Sequence, residues 1–320
     1  MRKIVSLALF ATSLAVAESP TITVTGGQVR GSLLEKGGAA FKGIPFTQPP
    51  VADLRWRPPL ASKPWDGVRD ATRFSAPCAQ NAGGHMLETS NEDCLYLNVW
   101  TPQWPPEARL PVMFWIHGGG NYGGTASTNN FDGESLARHG VVVVTANYRL
   151  TIFGFFAHPE LTQESAHHSS GNYGLLDQIA ALEWVRDNIA RLGGDPGHVT
   201  IFGQSAGAVD ANVLMTSPMA KGLFHRMIAE SGTVTRNPDS ATLGMTALGA
   251  VMTVKEGAVT YSDAPLLAEA EKRGQELAVT LNARRIVNGV PRDMIPYMRM
   301  LPAADLLNAV ALPRMAIGVE

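Results

Sequence analysis

A serine between two glycines is the feature of this sequence with the clearest chemical potential. Residues 203–207 read Gly-Gln-Ser-Ala-Gly, which fits the pattern G-x-S-x-G. The apolar run Val199–Phe202 precedes it and a helical pattern follows from Ala206, so the sequence predicts Ser205 on a tight strand-to-helix turn. The helix start supplies unpaired N–H groups and a positive dipole end beside the serine oxygen. Such a serine suits nucleophilic attack on a carbonyl carbon. The alternative is a serine helix cap beside accidental glycines.

A second glycine cluster, His117–Gly120, follows the apolar run Val112–Ile116. Three glycines in a row leave backbone N–H groups free to point at a ligand. In acyl transfer the carbonyl oxygen becomes an oxyanion, and preplaced donors stabilise it by roughly 3–4 kcal/mol each. We therefore predict an oxyanion hole formed by the N–H groups of Gly119, Gly120 and Ala206. A flexible glycine turn is the alternative, but the order of the two motifs along the chain favours the hole.

The elements around these motifs predict a mainly parallel sheet. Continuous apolar runs are typical of strands that are buried on both faces. The runs are Val112–Ile116, Val141–Val144, Val199–Phe202 and, as a fourth candidate, Met227–Ala229. An apolar stripe from Leu175 to Ile189 predicts a helix between them that ends at Gly193-Gly194. Alternating strands and helices indicate an α/β fold with crossover helices.

The two ends of the chain differ from this central pattern. Thr21–Val24 alternates like a strand and is followed by a glycine turn, and residues 45–64 are rich in proline, as in an extended surface coil. From about residue 239 to 310 the strands are expected to give out. Ala, Leu and Met dominate there, and we predict a helical, lid-like segment that covers one end of the sheet.

The first 17 residues have the three parts of a secretory signal peptide. Arg2 and Lys3 are positive, an apolar run follows, and Ala15-Val16-Ala17 is a small-x-small cleavage signal. A membrane helix is the alternative, but the apolar run of about 13 residues is short of the roughly 20 needed to span a bilayer. We expect residues 18–320 to form one exported domain, secreted or periplasmic, with no stable membrane anchor.

Composition and spacing exclude several classes of function. The 320 residues carry a formal charge of −2, with 45% hydrophobic and 17% charged residues, so no basic face for nucleic acid is indicated. No Cys or His pairs have metal-ligand spacing, and no nucleotide-binding glycine pattern is present. We expect no metal and no cofactor. The chain has two cysteines, Cys78 and Cys94; export favours a disulfide between them over two buried thiols.

Several segments resemble the type-B carboxylesterase/cholinesterase family of α/β-hydrolases, which includes para-nitrobenzyl esterase-like members. The resemblance runs in family order from about Thr21 to about Val310. Its segments are Glu92–Trp100, Trp115–Gly120, Asn147–Leu150, Phe153–Phe155, Gly171–Gln178, Phe202–Ala208 and Gly222–Arg226.

This resemblance implies an α/β-hydrolase fold and a serine esterase that acts on small-molecule carboxylic esters. It implies that Ser205 is the nucleophile, that Gly119, Gly120 and Ala206 form the oxyanion hole, and that Cys78 and Cys94 are bridged. The family's usual residue before the nucleophile is Glu. This sequence has Gln204 there, as some esterases of the group do.

The base and the acid of a catalytic triad have no candidates in family order. His225 is the only histidine after Ser205, and the family does not use that position as a base. No downstream acid is marked by its context. We therefore expect the triad acid, the histidine and the last sheet strands beyond residue 320. Two other interpretations stay open: a catalytically inactive, cholinesterase-like binding module, and a non-functional product of a truncated gene.

Overall fold

A computed structural model describes residues 19–82, 85–232, 252–255, 258–261, 266–282 and 294–316. The predicted signal peptide, residues 1–17, lies outside these ranges.

The strands include several short pairs around one larger sheet. In chain order they are β1 (Thr21–Val24), β2 (Gly27–Arg30), β3 (Ser32–Leu33), β4 (Ala39–Pro45), β5 (Val68–Asp70), β6 (Asn81–Ala82), β7 (His85–Met86), β8 (Tyr96–Thr101), β9 (Leu110–Ile116), β10 (Val142–Ala146), β11 (Gly194–Gln204), β12 (Arg226–Glu230), β13 (Met252–Lys255) and β14 (Ala258–Tyr261).

The helices fall between and after these strands. The α-helices are α1 (Glu134–Ala137), α2 (Thr151–Phe155), α3 (Pro159–Glu164), α4 (Tyr173–Asn188), α5 (Ala206–Thr216), α6 (Leu266–Asn282), α7 (Met294–Met300) and α8 (Ala303–Ala316). Short 3₁₀ helices lie at Ala52–Leu54, Asn129–Phe131, Ile189–Leu192 and Pro218–Ala220.

The central sheet has the strand order β12-β11-β9-β10-β8-β4-β3. The four strands β12, β11, β9 and β10 are parallel, whereas β8, β4 and β3 continue the sheet antiparallel. The predicted parallel strands are therefore confirmed, and they form one half of a mixed sheet. Every residue of β10 is buried, because its run of Val residues lies in the middle of the sheet. The carboxyl ends of the parallel strands meet at one edge of the sheet.

Helices α4 and α5 lie next to the strand β11, which ends at this edge. Helix α4 buries an apolar side that includes Leu182 and Val185. It ends at Asn188, before the predicted glycine stop, and the 3₁₀ helix Ile189–Leu192 continues the chain to Gly193, which is left-handed with φ 85°. Helix α5 begins directly after β11, as the sequence predicted.

Strand β12 is the last strand on its side of the sheet within the described residues. It pairs only with β11, and four of its five residues are exposed, Ile228 among them.

The expectation that strands give out after about residue 239 is wrong over one short stretch. Strands β13 and β14 pair antiparallel, with Val254 opposite Val259. Both segments alternate and contain the β-branched residues Val and Thr, which favour strands, and Glu256-Gly257 separates them in the sequence. The Ala- and Leu-rich composition of the surrounding segment obscured this local pattern. Helices α6, α7 and α8 follow the hairpin, as predicted for the later part of the segment.

The helices α6–α8 pack on a second apolar cluster beside the main core. Its buried members are Trp56, Ala79, Ile152, Phe153, Phe156, Leu161, Tyr173, Ala278, Ile295, Met298, Leu306 and Leu307. Trp56 is 1% exposed and its Nε1–H donates to the Ile152 carbonyl oxygen at 2.8 Å. The proline-rich stretch is therefore only partly a surface coil, because its tryptophan anchors the later helices.

The predicted disulfide between Cys78 and Cys94 is present, with the two Cα atoms 4.9 Å apart. Both residues are buried in the main core. The bridge joins the loop before β8 to the segment that carries the short strand β6.

Candidate active site

Ser205 occupies the turn between β11 and α5. Its backbone has φ 55° and ψ −119°, a region that non-glycine residues rarely adopt. The Ser205 N–H donates to the Glu230 carbonyl oxygen at 2.8 Å, and the Ser205 carbonyl oxygen accepts from Ala208 and Val209 at 3.0 Å each. The turn is thus held between the end of β12 and the first turn of α5, and the serine stays at its apex.

Both glycines of the serine motif are required by close backbone approach. A Cβ at Gly203 would lie 2.5 Å from the Gly207 carbonyl group. A Cβ at Gly207 would lie 2.1 Å from the Ile116 carbonyl oxygen, at the end of the neighbouring strand β9. Real Cβ atoms do not approach this closely, so only glycine allows the helix start to lie against β9.

The glycine cluster His117–Gly120 lies against the serine turn. A Cβ at Gly118 would be 2.6 Å from the Gln204 carbonyl oxygen and 3.3 Å from the Ser205 Cβ. Gly119 and Gly120 have φ values of 113° and 65°, which favour glycine. None of the N–H groups of Gly119, Gly120 and Ala206 donates a backbone hydrogen bond within the described part of the chain. These three donors are available to a ligand beside Ser205.

A buried polar network lies beneath the glycine cluster. The Tyr148 hydroxyl lies 2.8 Å from the His117 carbonyl oxygen and 2.9 Å from Asn121 Oδ1. Asn121 Nδ2 donates to Asp210 Oδ1 at 3.0 Å, and Gln178 Nε2 donates to Asp210 Oδ2 at 2.7 Å. The network therefore connects both ends of the glycine cluster to α5, the helix that follows Ser205.

Burial shifts the pKa values of two groups in this region. The loss of solvation raises the pKa of Asp210 to about 6, although the hydrogen bonds from Gln178 and Asn121 oppose the shift. Burial also lowers the pKa of His117 to about 4, against a small opposing effect of the Gly118 carbonyl. His117 is therefore neutral near pH 7, and its ring stacks on Tyr148 with the centroids 4.4 Å apart.

His225 lies at the opposite end of the sheet from Ser205. Its Nδ1 accepts from the Val199 N–H at 3.2 Å, and its own N–H donates to the Val199 carbonyl oxygen at 2.8 Å. Val199 is six residues before Ser205 along β11, which corresponds to about 20 Å of extended strand. His225 cannot reach the serine, and its ring instead bonds the backbone of the neighbouring strand.

Sequence reasoning missed Asn121, Tyr148 and Asp210. Asn121 directly follows the glycine cluster, and Asp210 is one helical turn after Ala206, so their spacing could have brought them into the argument. Tyr148 lies beyond β10, and no local pattern links it to residue 117. Only the parallel pairing of β9 and β10 brings the two loops together.

Comparison with known proteins agrees with this geometry. The family model described as "Carboxylesterase family" matches residues 18–248. The chain belongs to the carboxylesterase family. Its curated relatives include a "Fumonisin B1 esterase" from Sphingopyxis macrogoltabida, 50% identical over 60% of this chain and 36% of the relative. A "Carboxylesterase 1D" from Rattus norvegicus is 40% identical over 92% of this chain and 54% of the relative.

Solved structures of the family share the fold. A carboxylesterase from Geobacillus stearothermophilus matches with a TM-score of 0.71 and 36% identity. The match covers 93% of this chain and 54% of the Geobacillus chain. A structure titled "PNB esterase" has a TM-score of 0.74 at 35% identity, over 94% of this chain and 55% of its own. The fold is therefore that of the α/β-hydrolases, as the sequence predicted. The chain spans about half the length of these relatives, and about a third of the fumonisin esterase.

Two features are absent from the described residues. No helix within these ranges is long and apolar enough to cross a membrane. No group of three or more His, Cys, Asp or Glu side chains in the same ranges could hold a metal ion.

Proposed function

We propose that this chain carries the nucleophile and the oxyanion hole of a serine esterase that hydrolyses small-molecule carboxylic esters. The observation that carries the proposal is the contact between the serine turn and the glycine cluster, with Gly118 packed on Gln204 and Ser205. Membership of the carboxylesterase family supports it.

In the proposed reaction, the Ser205 Oγ attacks the ester carbonyl carbon while a histidine base takes its proton. The carbonyl oxygen becomes negative and accepts hydrogen bonds from Gly119, Gly120 and Ala206 N–H. Collapse of this intermediate breaks the C–O bond, and the protonated base gives its proton to the departing alcohol. Water, deprotonated by the same histidine, then attacks the acyl-serine and releases the acid.

The base and its acid are proposed to lie beyond residue 320. No histidine follows His225 in the sequence, and His225 lies at the wrong end of β11. The relatives are about twice as long as this chain, which leaves room for both residues. We also propose that α6–α8 form a lid-like segment within the domain of residues 18–320.

Export is proposed from two independent features. The first 17 residues have a signal-peptide pattern, and the structure contains a disulfide, which is typical of oxidising compartments. The protein would then act in the periplasm or outside the cell.

The decisive experiment replaces the nucleophile in the full-length protein. Ser205→Ala should abolish hydrolysis of a p-nitrophenyl ester and labelling by a fluorophosphonate, because both need an activated serine at this position. The control is Ser217→Ala, at the end of the same helix, which should keep both activities. Turnover that survives Ser205→Ala would overturn the assignment. A wild-type protein that binds esters without labelling or turnover would favour the inactive binding module.

A further inference from the structure

Asp210 is a buried carboxylate whose hydrogen-bond partners are two neutral amides. It is fully buried on α5, four residues after Ala206 and therefore on the same side of the helix. Its two oxygens accept from Asn121 Nδ2 at 3.0 Å and from Gln178 Nε2 at 2.7 Å. Burial of a carboxylate is costly unless the group is well hydrogen bonded. The bonds from Asn121 and Gln178 meet that requirement, and they link α5 to the end of the glycine cluster and to α4.

Asn121 connects this carboxylate to the glycine cluster. It directly follows Gly120, is 5% exposed and has φ 57°, so its backbone turns sharply at the end of the cluster. Its carbonyl oxygen accepts from the Thr151 N–H at 2.8 Å. Its side chain reaches Asp210 on one side and the Tyr148 hydroxyl on the other. Asn121 is thus fixed at three points.

The carboxylate decides which way the Asn121 amide faces. The Tyr148 hydroxyl can either donate a hydrogen bond or accept one, so it tolerates both orientations of the amide. An ionised carboxylate only accepts, so it requires the NH₂ group of Asn121. The amide oxygen then faces Tyr148, whose single hydroxyl proton is shared between Asn121 Oδ1 at 2.9 Å and the His117 carbonyl oxygen at 2.8 Å, at the other end of the cluster.

We infer that Asp210 is a positioning residue: through Asn121 it ties the glycine cluster to helix α5 and so fixes Gly119 and Gly120 relative to Ala206. This inference rests on the proposed oxyanion hole. The donors of the hole lie on two separate elements. Asp210 lies on α5, which carries Ala206, and through Asn121 it holds the loop that carries Gly119 and Gly120. Misplacement of such donors by about 1 Å lowers the rate by about 10²-fold.

The test measures ester hydrolysis and fluorophosphonate labelling in the full-length protein. Asp210→Ala should lower kcat by about 30- to 300-fold, with KM changed less than about threefold, because oxyanion donors act mainly in the transition state. Asn121→Ala removes the same connection from the other side and should give a similar loss, which keeps the test informative if one variant does not fold.

Two further variants separate positioning from general packing. Asp210→Asn keeps an acceptor for Asn121, and rotation of the Gln178 amide lets Gln178 Oε1, which has no partner now, accept from the new NH₂ group. This variant should keep kcat within about threefold of wild type. Asn212→Ala, on the same helix, removes a bond from Asn212 Nδ2 to the Ala208 carbonyl and should leave kcat unchanged.

The double variant of Asn121 and Asp210 completes the test. If the two side chains act through one connection, the double variant should lose about as much as either single variant. A wild-type kcat in folded Asp210→Ala, or additive losses in the double variant, would overturn the inference. An equal loss in Asp210→Asn would also overturn it, because charge rather than the connection would then matter. Ser205→Ala, run in parallel, reports separately on the proposed function.

Discussion

Two regions of this molecule are held in place by different kinds of interaction. The serine turn and the glycine cluster fit together through close backbone contacts and fully buried hydrogen bonds: a single Cβ at Gly207 would lie 2.1 Å from a carbonyl oxygen, and Asn121 bonds the buried Asp210. The helices α6–α8 are instead attached by an apolar cluster and by charged side chains. Arg299 Nη2 bonds Glu164 at 2.8 Å, and Arg55 Nη1 bonds the carbonyl oxygens of Met298 and Leu301 at 2.9 Å each.

The difference indicates which region tolerates change. Close backbone contacts and fully buried hydrogen bonds leave few alternative arrangements, whereas partly exposed side-chain contacts, such as those of Glu164, can break and form again. We therefore expect the serine region to be rigid and the helical region to open more readily. Such a division would fit the proposed esterase, with a fixed site beside the proposed lid-like segment α6–α8.

The largest loss of stability is expected at Gly207, where the neighbouring backbone leaves no space for a side chain. Gly207→Ala should lower the free energy of unfolding by about 3 kcal/mol, because β9 and α5 must separate to admit the methyl group. Fluorophosphonate labelling of Ser205 should fall by more than about 10²-fold in the same variant.

The matched control is Gly197→Ala, on the exposed turn within β11. There a Cβ would meet only the end of the Asp195 side chain, at 3.2 Å. Urea denaturation should place this variant within about 0.5 kcal/mol of wild type. A Gly207→Ala protein with wild-type stability would show that the serine region is not rigid.

The sequence carried enough information for the parallel strands and for the serine and glycine motifs. These are local: each depends on apolar runs and glycines within about ten residues. The contacts of Tyr148 and Asp210 with the glycine cluster arise only when β9, β10 and α5 pack together, so no single window contains them. The hairpin β13–β14 was missed because its strands, each four residues long, lie within an Ala- and Leu-rich segment.

The second prediction concerns pH and the charge of Asp210. Its pKa in the folded protein is about 6, above the ordinary 3.8, so the folded state holds the proton more tightly. Its contribution to stability is then present below about pH 4 and is lost as the pH rises through about 6, by about 3 kcal/mol. His117 has the opposite effect: its pKa of about 4 adds stability as the pH rises from about 4 to 6.5.

The opposite pH dependences of stability that Asp210 and His117 cause should nearly cancel in the wild type. Asp210→Asn removes one of them, so its stability relative to wild type should increase by about 3 kcal/mol between about pH 4 and pH 7. Thermal or urea unfolding of the variant and the wild type across this range measures their difference in stability. The contributions of the other titrating groups cancel in that difference. A constant difference across the range would mean that folding does not raise the pKa of Asp210.

A smaller effect is expected in the helical region. Arg299→Met removes the bonds to Glu164 and to the Arg55 carbonyl oxygen, and should cost about 2 kcal/mol because Glu164 is partly exposed. The pKa of Glu164, which Arg299 lowers mainly by hydrogen bonding, should rise toward its ordinary value.

Amide hydrogen exchange should show which elements lose stability in Arg299→Met. Protection should fall in α7 and α8, while β11 and α5 keep theirs. Arg138→Met, which breaks an exposed ion pair with Glu134, is the control and should cost less than about 0.5 kcal/mol. Equal loss of protection in the serine region would mean that the two regions open together.

The smallest effect is expected for the histidine that follows the serine in sequence. His225→Gln should leave ester hydrolysis and Ser205 labelling unchanged in the full-length protein, because the ring bonds Val199 about 20 Å from the serine turn. Its stability should change by less than about 1 kcal/mol, since Gln can still accept from the Val199 N–H. A strong loss of kcat would place a histidine of this chain in the reaction and would remove the need for a base beyond residue 320. An unchanged kcat would support the proposal that this chain holds the serine and the oxyanion donors while a base beyond residue 320 transfers the proton.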